Sequence, residues 1–120
     1  MNVAIVFAPD FSGRLRNLAF HTPVWMVETP ENRAAAEDAW RAGVEWPHIA
    51  VTLFRPQEEW RALLAQIALE HPLDSVDVIG SALTNPARKA LLDAGFDRID
   101  ETAEGFRACH SEPRRRRGIP

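Results

Sequence analysis

One stretch near the start of the chain, from Val3 to Phe20, constrains the fold more than any other. It opens with six consecutive apolar residues, VAIVFA, which is the pattern of a strand buried on both faces. A proline–aspartate pair then breaks the run, and apolar residues recur from Leu15 at the spacing of one helical face. A doubly buried strand that leads into a helix is typical of a parallel sheet with helices on both sides.

The same alternation of strand and helix recurs along the chain. After the first strand, Val3–Ala8, apolar runs predict strands at Pro23–Glu28, His48–Phe54 and Val76–Gly80. Proline in the first turn, next to a capping or acidic residue, marks the helix starts that follow these strands. These starts are Thr29-Pro30, with a helix through Arg41 that Gly43 stops, then Pro56, and finally Asn85-Pro86.

Two segments near the end of the chain alternate apolar with charged residues, Phe96–Asp100 and Gly105–Cys109. The four residues between them are a suitable length for a hairpin loop. We therefore expect an antiparallel hairpin at one edge of the sheet. From Ser111 to Pro120, arginine and proline without apolar periodicity predict a disordered tail.

Together these elements predict a single α/β domain over residues 1–110. The expected architecture is a three-layer α/β/α sandwich around a mostly parallel open sheet, of the flavodoxin-like or Rossmann-like kind. The first and third strands are the most apolar on both faces, so we expect them to be central neighbours. That expectation favours the strand order 2-1-3-4-5 over 3-2-1-4-5.

The charge and cysteine content of the chain limit the partners and the cellular compartment that we expect for it. The chain carries a net charge of −3, and Arg114, Arg115, Arg116 and Arg117 contribute +4, so the rest of the chain sums to −7. An acidic body argues against a broad nucleic-acid footprint. Cys109 is the only cysteine, which fits a reducing compartment. With no basic-then-apolar leader and no apolar run of ~20 residues, we expect a cytoplasmic protein without membrane contact.

A ligand site, if the fold has one, is expected outside the carboxyl ends of the strands, where the strand order reverses. With the favoured order, this crevice lies between the loops Pro9–Gly13 and Arg55–Gln57. A glycine and free N–H groups at a helix start, beside an arginine, suit an anionic or phosphate-bearing ligand. The alternative is an ordinary helix cap beside a solvated arginine. The candidate ligand-binding residues are Asp10, Ser12, Gly13, Arg14, Arg55 and Ser81.

The sequence predicts no cofactor, no metal site and no catalytic residue. The loop after the first strand lacks the glycine patterns of dinucleotide-binding and P-loop proteins. The four histidines are scattered along the chain without the spacing of zinc ligands. Because no catalytic set is complete, the sequence leans against an enzyme without deciding the question.

Four tryptophans are a high number for 120 residues. We expect Trp25, Trp40 and Trp60 in the core, because they fall within a strand or on helix stripes. Trp46 lies in the loop Gly43–Pro47 and is a candidate interaction residue, since tryptophan is a common interface anchor. The alternative is that Trp46 covers one end of the core.

The leading hypothesis is therefore a binding, regulatory or protein-interaction module. Its partner would be a second copy of the chain or another protein, bound through an exposed helix or a sheet edge. A second hypothesis is a small-molecule-binding or hydrolytic protein that uses the crevice. A third is weak, salt-sensitive nucleic-acid contact through Arg114–Arg117, because four arginines release only about four counterions.

Overall fold

Apolar residues on both faces place β1 (Asn2–Val6) at the centre of the sheet, where Val3, Ala4, Ile5 and Val6 are fully buried. The computed structural model describes residues 1–19, 22–41 and 50–110. These residues form a mixed α/β domain with four helices and a six-stranded, mostly parallel sheet. The predicted fold class is thus confirmed at this level.

Each strand and helix predicted from the sequence has a counterpart. The helices are α1 (Ser12–Ala19), α2 (Pro30–Arg41), α3 (Trp60–Glu70) and α4 (Asn85–Asp93). The further strands are β2 (Val24–Val27), β3 (Val51–Phe54), β4 (Ser75–Ile79), β5 (Arg98–Glu101) and β6 (Gly105–Cys109). Some predicted features lie outside the described residues: the stop at Gly43, the strand start at His48 and the tail from Ser111.

The strand order is β3-β2-β1-β4-β6-β5. The first four of these strands run parallel, and the β5–β6 hairpin pairs antiparallel at one edge, as predicted. The expectation that the first and third strands are neighbours was wrong, because Trp25 of β2 pairs with Ile5 on one side and Thr52 on the other. All of β2 is buried, whereas Thr52 and Leu53 are only half-buried. This is the burial expected of a central strand and an edge strand.

Helices cover both faces of the sheet, because side chains alternate along β1. Val3 and Ile5 pack in one apolar cluster with residues of α3 and α4. Ala4 and Val6 pack in a second cluster with residues of α1 and α2. The helices therefore form two pairs, α1/α2 and α3/α4, each packed in its own apolar cluster, and we call these pairs the two helical layers.

The helix starts agree with the sequence except for two details. Thr29 caps α2 as predicted, since its Oγ1 accepts a hydrogen bond from the backbone N of Asn32 at 3.1 Å. In α4 the cap is Thr84 rather than the expected Asn85. The third helix begins at Trp60 and not at Pro56, because residues 55–58 form a turn that closes from the N of Glu58 to the carbonyl of Arg55.

Trp40 is 48% exposed, so the expectation that it lies in the core was wrong. Its Nε1 donates to the carbonyl oxygen of Val51 at 3.1 Å. Since β3 is an edge strand of the described sheet, the indole contacts that edge through this hydrogen bond and stays half-exposed. Trp25 is buried, as predicted.

Candidate functional site

The strand order reverses between β1 and β4, and the loops that follow these two strands meet at the carboxyl edge of the sheet. The backbone N of Phe7 donates to the carbonyl of Ile79 at 2.7 Å. The loop that contains Asp10 therefore lies next to the loop that contains Ser81. Arg55 follows β3, so it lies two strands away from β1, and the crevice predicted between these two strands does not form.

Two glycines allow three backbone segments to close over this edge. Gly80 has a φ of +84°, and a Cβ there would lie 2.6 Å from the backbone N of Ala8. A Cβ on Gly105, at the start of β6, would overlap the carbonyl oxygen of Val78. The N of Gly80 also donates to the carbonyl of Glu104 at 2.8 Å. The protein's own backbone thus fills the place where an open sheet of this kind binds ligands.

Arg14, predicted to face an anionic ligand, is bound to a carboxylate of the protein itself. Both terminal nitrogens of its guanidinium donate to Glu104, with Nη2 at 2.9 Å from Oε1. This hydrogen bond raises the pKa of Arg14 and lowers the pKa of Glu104. The guanidinium also lies 5.1 Å from the ring centroid of Phe11. An anionic ligand at Arg14 would compete with Glu104 for the guanidinium.

The other candidate residues of this edge form local contacts. The backbone N and Oγ of Ser12 donate to Oδ1 of Asp10 at 3.1 and 2.7 Å, which lowers the pKa of Asp10. A Cβ on Gly13 would meet nothing within 4 Å, so no neighbouring backbone requires a glycine there. The Oγ of Ser81 donates to the carbonyl of Ala82 at 3.1 Å. These hydrogen bonds stabilise the turns in which the residues lie, and Asp10, Ser12 and Gly13 remain exposed.

The remaining predicted residues are not brought to this edge. The side chain of Arg55 is 78% exposed and lies 3.7 Å from the carboxylate of Glu58. Trp46 and the run Arg114–Arg117 lie outside the described residues. The structure therefore groups Asp10, Ser12, Gly13 and Arg14 with Ser81, and it separates Arg55 from them.

A buried amide fixes the loop after β1. Asn32 is fully buried, and its Oδ1 accepts from the backbone N of Phe11 at 2.7 Å. Its Nδ2 donates to the carbonyls of Ala8 and Val27, both at 2.9 Å. Because all these polar atoms are paired, the geometry assigns Asn32 a structural role that joins α2 to the carboxyl edge.

Four aromatic rings fill the same edge on the side of α3. The ring of Phe7 lies 5.3 Å from the ring of Phe54 and 5.3 Å from that of Trp60. The ring of Trp60 lies 6.0 Å from that of Phe106. Edge-on and tilted rings at these distances pack favourably. The aromatic cluster and the three closed backbone segments together occupy this edge of the sheet.

Concave surface is found instead between α3 and α4. One groove of about 540 Å³ lies at the N-terminal ends of the two helices, and a second of about 380 Å³ adjoins it. Arg61 and Ala90 line both grooves. An ion pair between Arg61 and Asp93 joins the two helices where the grooves meet. The second groove is mainly apolar, with walls and floor that include Leu64, Ala65, Ala68, Ala94 and Phe96.

The outer surface of α3 is apolar as well. The helix, WRALLAQIALE, carries only two charged residues, Arg61 and Glu70. Its inward face is buried, and yet Leu69 on its opposite side is 87% exposed. Leu92 of α4, 49% exposed, adds a second large apolar side chain. A surface helix normally turns polar and charged side chains to water, and α3 does so only at Arg61, Gln66 and Glu70.

This surface was not predicted, although the sequence contains a signal for it. The buried stripe of α3 consists of Leu63, Leu64 and Ile67. Trp60, which the sequence predicted in the core, is only partly buried against it. The remaining positions of α3 hold alanines, Leu69 and few polar residues. An amphipathic helix with one solvent-exposed face usually carries charged side chains at these positions. An excess of apolar residues beyond one stripe was the overlooked pattern.

Neither a known protein family, nor a curated protein, nor a solved structure matches the chain. Within residues 1–19, 22–41 and 50–110, no cluster of three or more histidine, cysteine or acidic side chains could hold a metal ion. Over the same residues, no helix has the length and apolar character needed to cross a membrane. Function is therefore inferred from the geometry of the two surfaces described above.

Proposed function

We propose that the protein is an interaction module that binds a protein partner on the outer surface of α3 and α4. The observation that carries this proposal is the exposed side of α3, where Leu69 is 87% exposed beside two exposed alanines and only two residues are charged. Contiguous exposed apolar surface on a soluble domain is a marker of protein interaction. The adjoining grooves give that surface the relief that a specific contact requires.

The carboxyl edge supports the same choice. Small-molecule sites of open α/β sheets lie in this region, and here backbone and aromatic rings fill it. Arg14 is held by Glu104, and Arg55 lies two strands from β1. An anionic ligand would find its expected cation already paired. We therefore rank ligand binding or hydrolysis at this edge below protein interaction.

The order of the first four strands, 3-2-1-4, also supports a Rossmann-like arrangement of the parallel part. In this proposal the fold serves as a scaffold that presents a helical surface, and the antiparallel β5–β6 hairpin replaces further parallel strands. Fold of this kind does not by itself specify an activity.

A matched pair of substitutions tests the proposed surface. Ala68 is exposed on α3 and lines the second groove, whereas Ala34 is exposed on α2 in the opposite layer. Because both positions are exposed and helical, Ala68→Glu and Ala34→Glu should each change the free energy of unfolding by less than about 0.5 kcal/mol. Only Ala68→Glu places a charge in the groove.

Sedimentation velocity over a concentration range measures self-association, and quantitative affinity capture with each variant as bait measures binding of other proteins. Association that Ala68→Glu removes and Ala34→Glu retains is the expected result. If the two variants and the wild type behaved identically in both measurements, the proposed surface would be wrong. A small molecule whose stabilising effect vanished in Arg14→Ala but persisted in Ala68→Glu would favour the carboxyl edge instead.

A further inference from the structure

The surface of α3 and α4 also indicates what covers it. Resting on the proposed function, we infer that the partner presents a single amphipathic helix of about three turns, which lies along the trench between α3 and α4. The trench is the pair of adjoining grooves lined by both helices. Its size, its small side chains and its charges each favour a helix.

The size of the trench suits one helix better than a globular surface. With 11 residues in α3 and 9 in α4, the surface is about 16 Å long at ~1.5 Å per residue, and about 20 Å wide for two helices of ~10 Å diameter. This footprint of roughly 320 Å² is well below the ~800 Å² that each partner buries in a standard interface. A second copy of the chain would need contacts beyond this surface, whereas one helix of ~10 Å diameter fits within it.

Small side chains allow a helix to approach closely. Ala65 and Ala68 on α3 face Ala90 and Ala94 on α4 across the second groove. Phe96 contributes an aromatic side chain to the same groove. Leucine-sized side chains of a docked helix would enter between the alanines, in the way that an amphipathic helix lays its apolar face into a groove.

The charges that line the first groove specify the flanks of that helix. Glu59 at the start of α3 and Lys89 on α4 line opposite walls, and neither has an ion-pair partner among the described residues. Arg61 is already paired with Asp93. A docked helix should therefore carry a basic residue on the flank that faces α3 and an acidic residue on the flank that faces α4. Apolar anchors at i, i+3 or i+4 and i+7 would separate the two flanks.

A displayed library of random 14-residue helix-forming peptides, selected against the full chain, tests this inference. Binding of the selected peptides is then measured by fluorescence anisotropy with wild type and variants. We expect selected sequences with apolar anchors at helical spacing. Their affinity should fall at least tenfold in Ala68→Glu and change less than twofold in Ala34→Glu.

Charge reversal gives the sharper readout. Lys89→Glu should weaken selected peptides that carry an acidic residue on one flank, and replacing that residue by lysine in the peptide should restore their affinity. Restoration supports a helix in the stated orientation, because loss of folding could not be rescued by a change in the peptide.

Three outcomes would overturn the inference. Peptides that lack helical spacing but lose binding in Ala68→Glu would exclude a helical partner and leave the interaction module standing. Self-association that Ala68→Glu abolishes, with no helical peptide selected, would make a second copy the partner. Binding that is indifferent to Ala68→Glu would overturn the inference and the proposed function together.

Discussion

The two helical layers of this domain differ in the way their outer surfaces meet water. On the α1/α2 side, Arg33 pairs with Glu28 and Glu37, and Arg41 pairs with Asp38. On the α3/α4 side, α3 exposes Leu69, and its two charged residues occupy only positions 61 and 70. Of the eight exposed residues of α2, five are charged, although Trp40 is apolar and half-exposed. Of the six exposed residues of α3, only two are charged, so a smaller share of its exposed side carries charge.

The layers also differ in how they attach to the carboxyl edge of the sheet. The α2 helix is attached by the hydrogen bonds of one buried amide, that of Asn32. The α3 helix is attached by aromatic contacts of Trp60 with Phe7 and Phe106. A buried amide stabilises the contact between helix and sheet only if each of its hydrogen bonds is made. An aromatic side chain stabilises it by filling the space between them. This contrast sets the expected order of the substitutions that follow.

Asn32→Ala should have the largest effect. It leaves the N–H of Phe11 and the carbonyls of Ala8 and Val27 without partners, and each unpaired buried group costs about 1–3 kcal/mol. We expect the free energy of unfolding to fall by about 4 kcal/mol in urea titration. Asn17→Ala, at an exposed position of α1, is the control and should change it by less than about 0.5 kcal/mol. A loss below about 1 kcal/mol for Asn32→Ala would contradict the attachment described for α2.

The two tryptophans on opposite layers provide the second test. Trp60→Ala removes a ring from the aromatic cluster, and because Trp60 is only partly buried we expect a loss of about 2 kcal/mol, below the 3–5 kcal/mol typical of buried rings. Trp40→Ala removes a half-exposed ring and one hydrogen bond to Val51, for which we expect about 1 kcal/mol. Thermal or urea unfolding measures both. The opposite ranking would show that the edge contact of α2 matters more than the aromatic attachment of α3.

Leu69→Lys should make the surface of α3 less apolar without changing the stability of the fold. The side chain is 87% exposed, so the free energy of unfolding should change by less than about 0.5 kcal/mol. Binding of an apolar fluorescent dye to the folded protein should nevertheless fall, because the substitution charges the apolar surface of α3. Ala34→Lys on α2 serves as the matched control and should leave dye binding unchanged. Equal dye signals from wild type and both variants would remove the difference between the layers.

The smallest effect is expected from the ion pair between Arg14 and Glu104, in which both side chains are about half exposed. The pKa of Glu104 is lowered by Arg14, so its contribution to stability is fully present above the ordinary carboxyl pKa. That contribution disappears as the pH falls through the lowered pKa. The difference in unfolding free energy between wild type and Glu104→Gln should therefore be small at neutral pH and vanish in acid.

Unfolding measured across the acidic range, with the Glu104 carboxyl followed by NMR, checks this prediction. Glu101→Gln on β5 is the control, because Glu101 has no ion-pair partner in the described part of the chain. A difference for Glu104→Gln that grew as the pH fell would have the wrong sign for a lowered pKa.

Local patterns in the sequence predicted the helices and strands. They could not predict the order of the strands in the sheet. Thr29 and Pro30 predicted the start of α2, and the alternation of apolar and charged residues in Gly105–Cys109 predicted β6. Both signals depend only on residues that are close together in the sequence. The position of β3 depends on what covers it. Its apolar residues resemble those of β1, and only the sheet shows Thr52 and Leu53 to be half-buried at an edge.

The same distinction between local and distant contacts applies to the candidate site. The turn of Asp10 and Ser12 lies in the predicted loop, since their hydrogen bonds span two residues. The partner of Arg14 is Glu104, 90 residues away, and no local pattern could have named it. The crevice failed as a prediction because it rested on the strand order, while the α3 surface needed only the composition of a single helix.

The β5–β6 hairpin follows the four parallel strands along the chain, so the sheet can be completed only after the hairpin has been synthesised. The four parallel strands and their helices are made first, and at that stage β4 has an open edge. Only when Gly105–Cys109 emerges can β6 pair with β4 and the backbone of Glu104 reach Gly80. The hairpin, which is made after β1 to β4, thus completes the edge of the sheet that those strands begin. Until β6 has been made, a growing chain carries β4 with one unpaired edge, and it gains this closure only when the hairpin emerges.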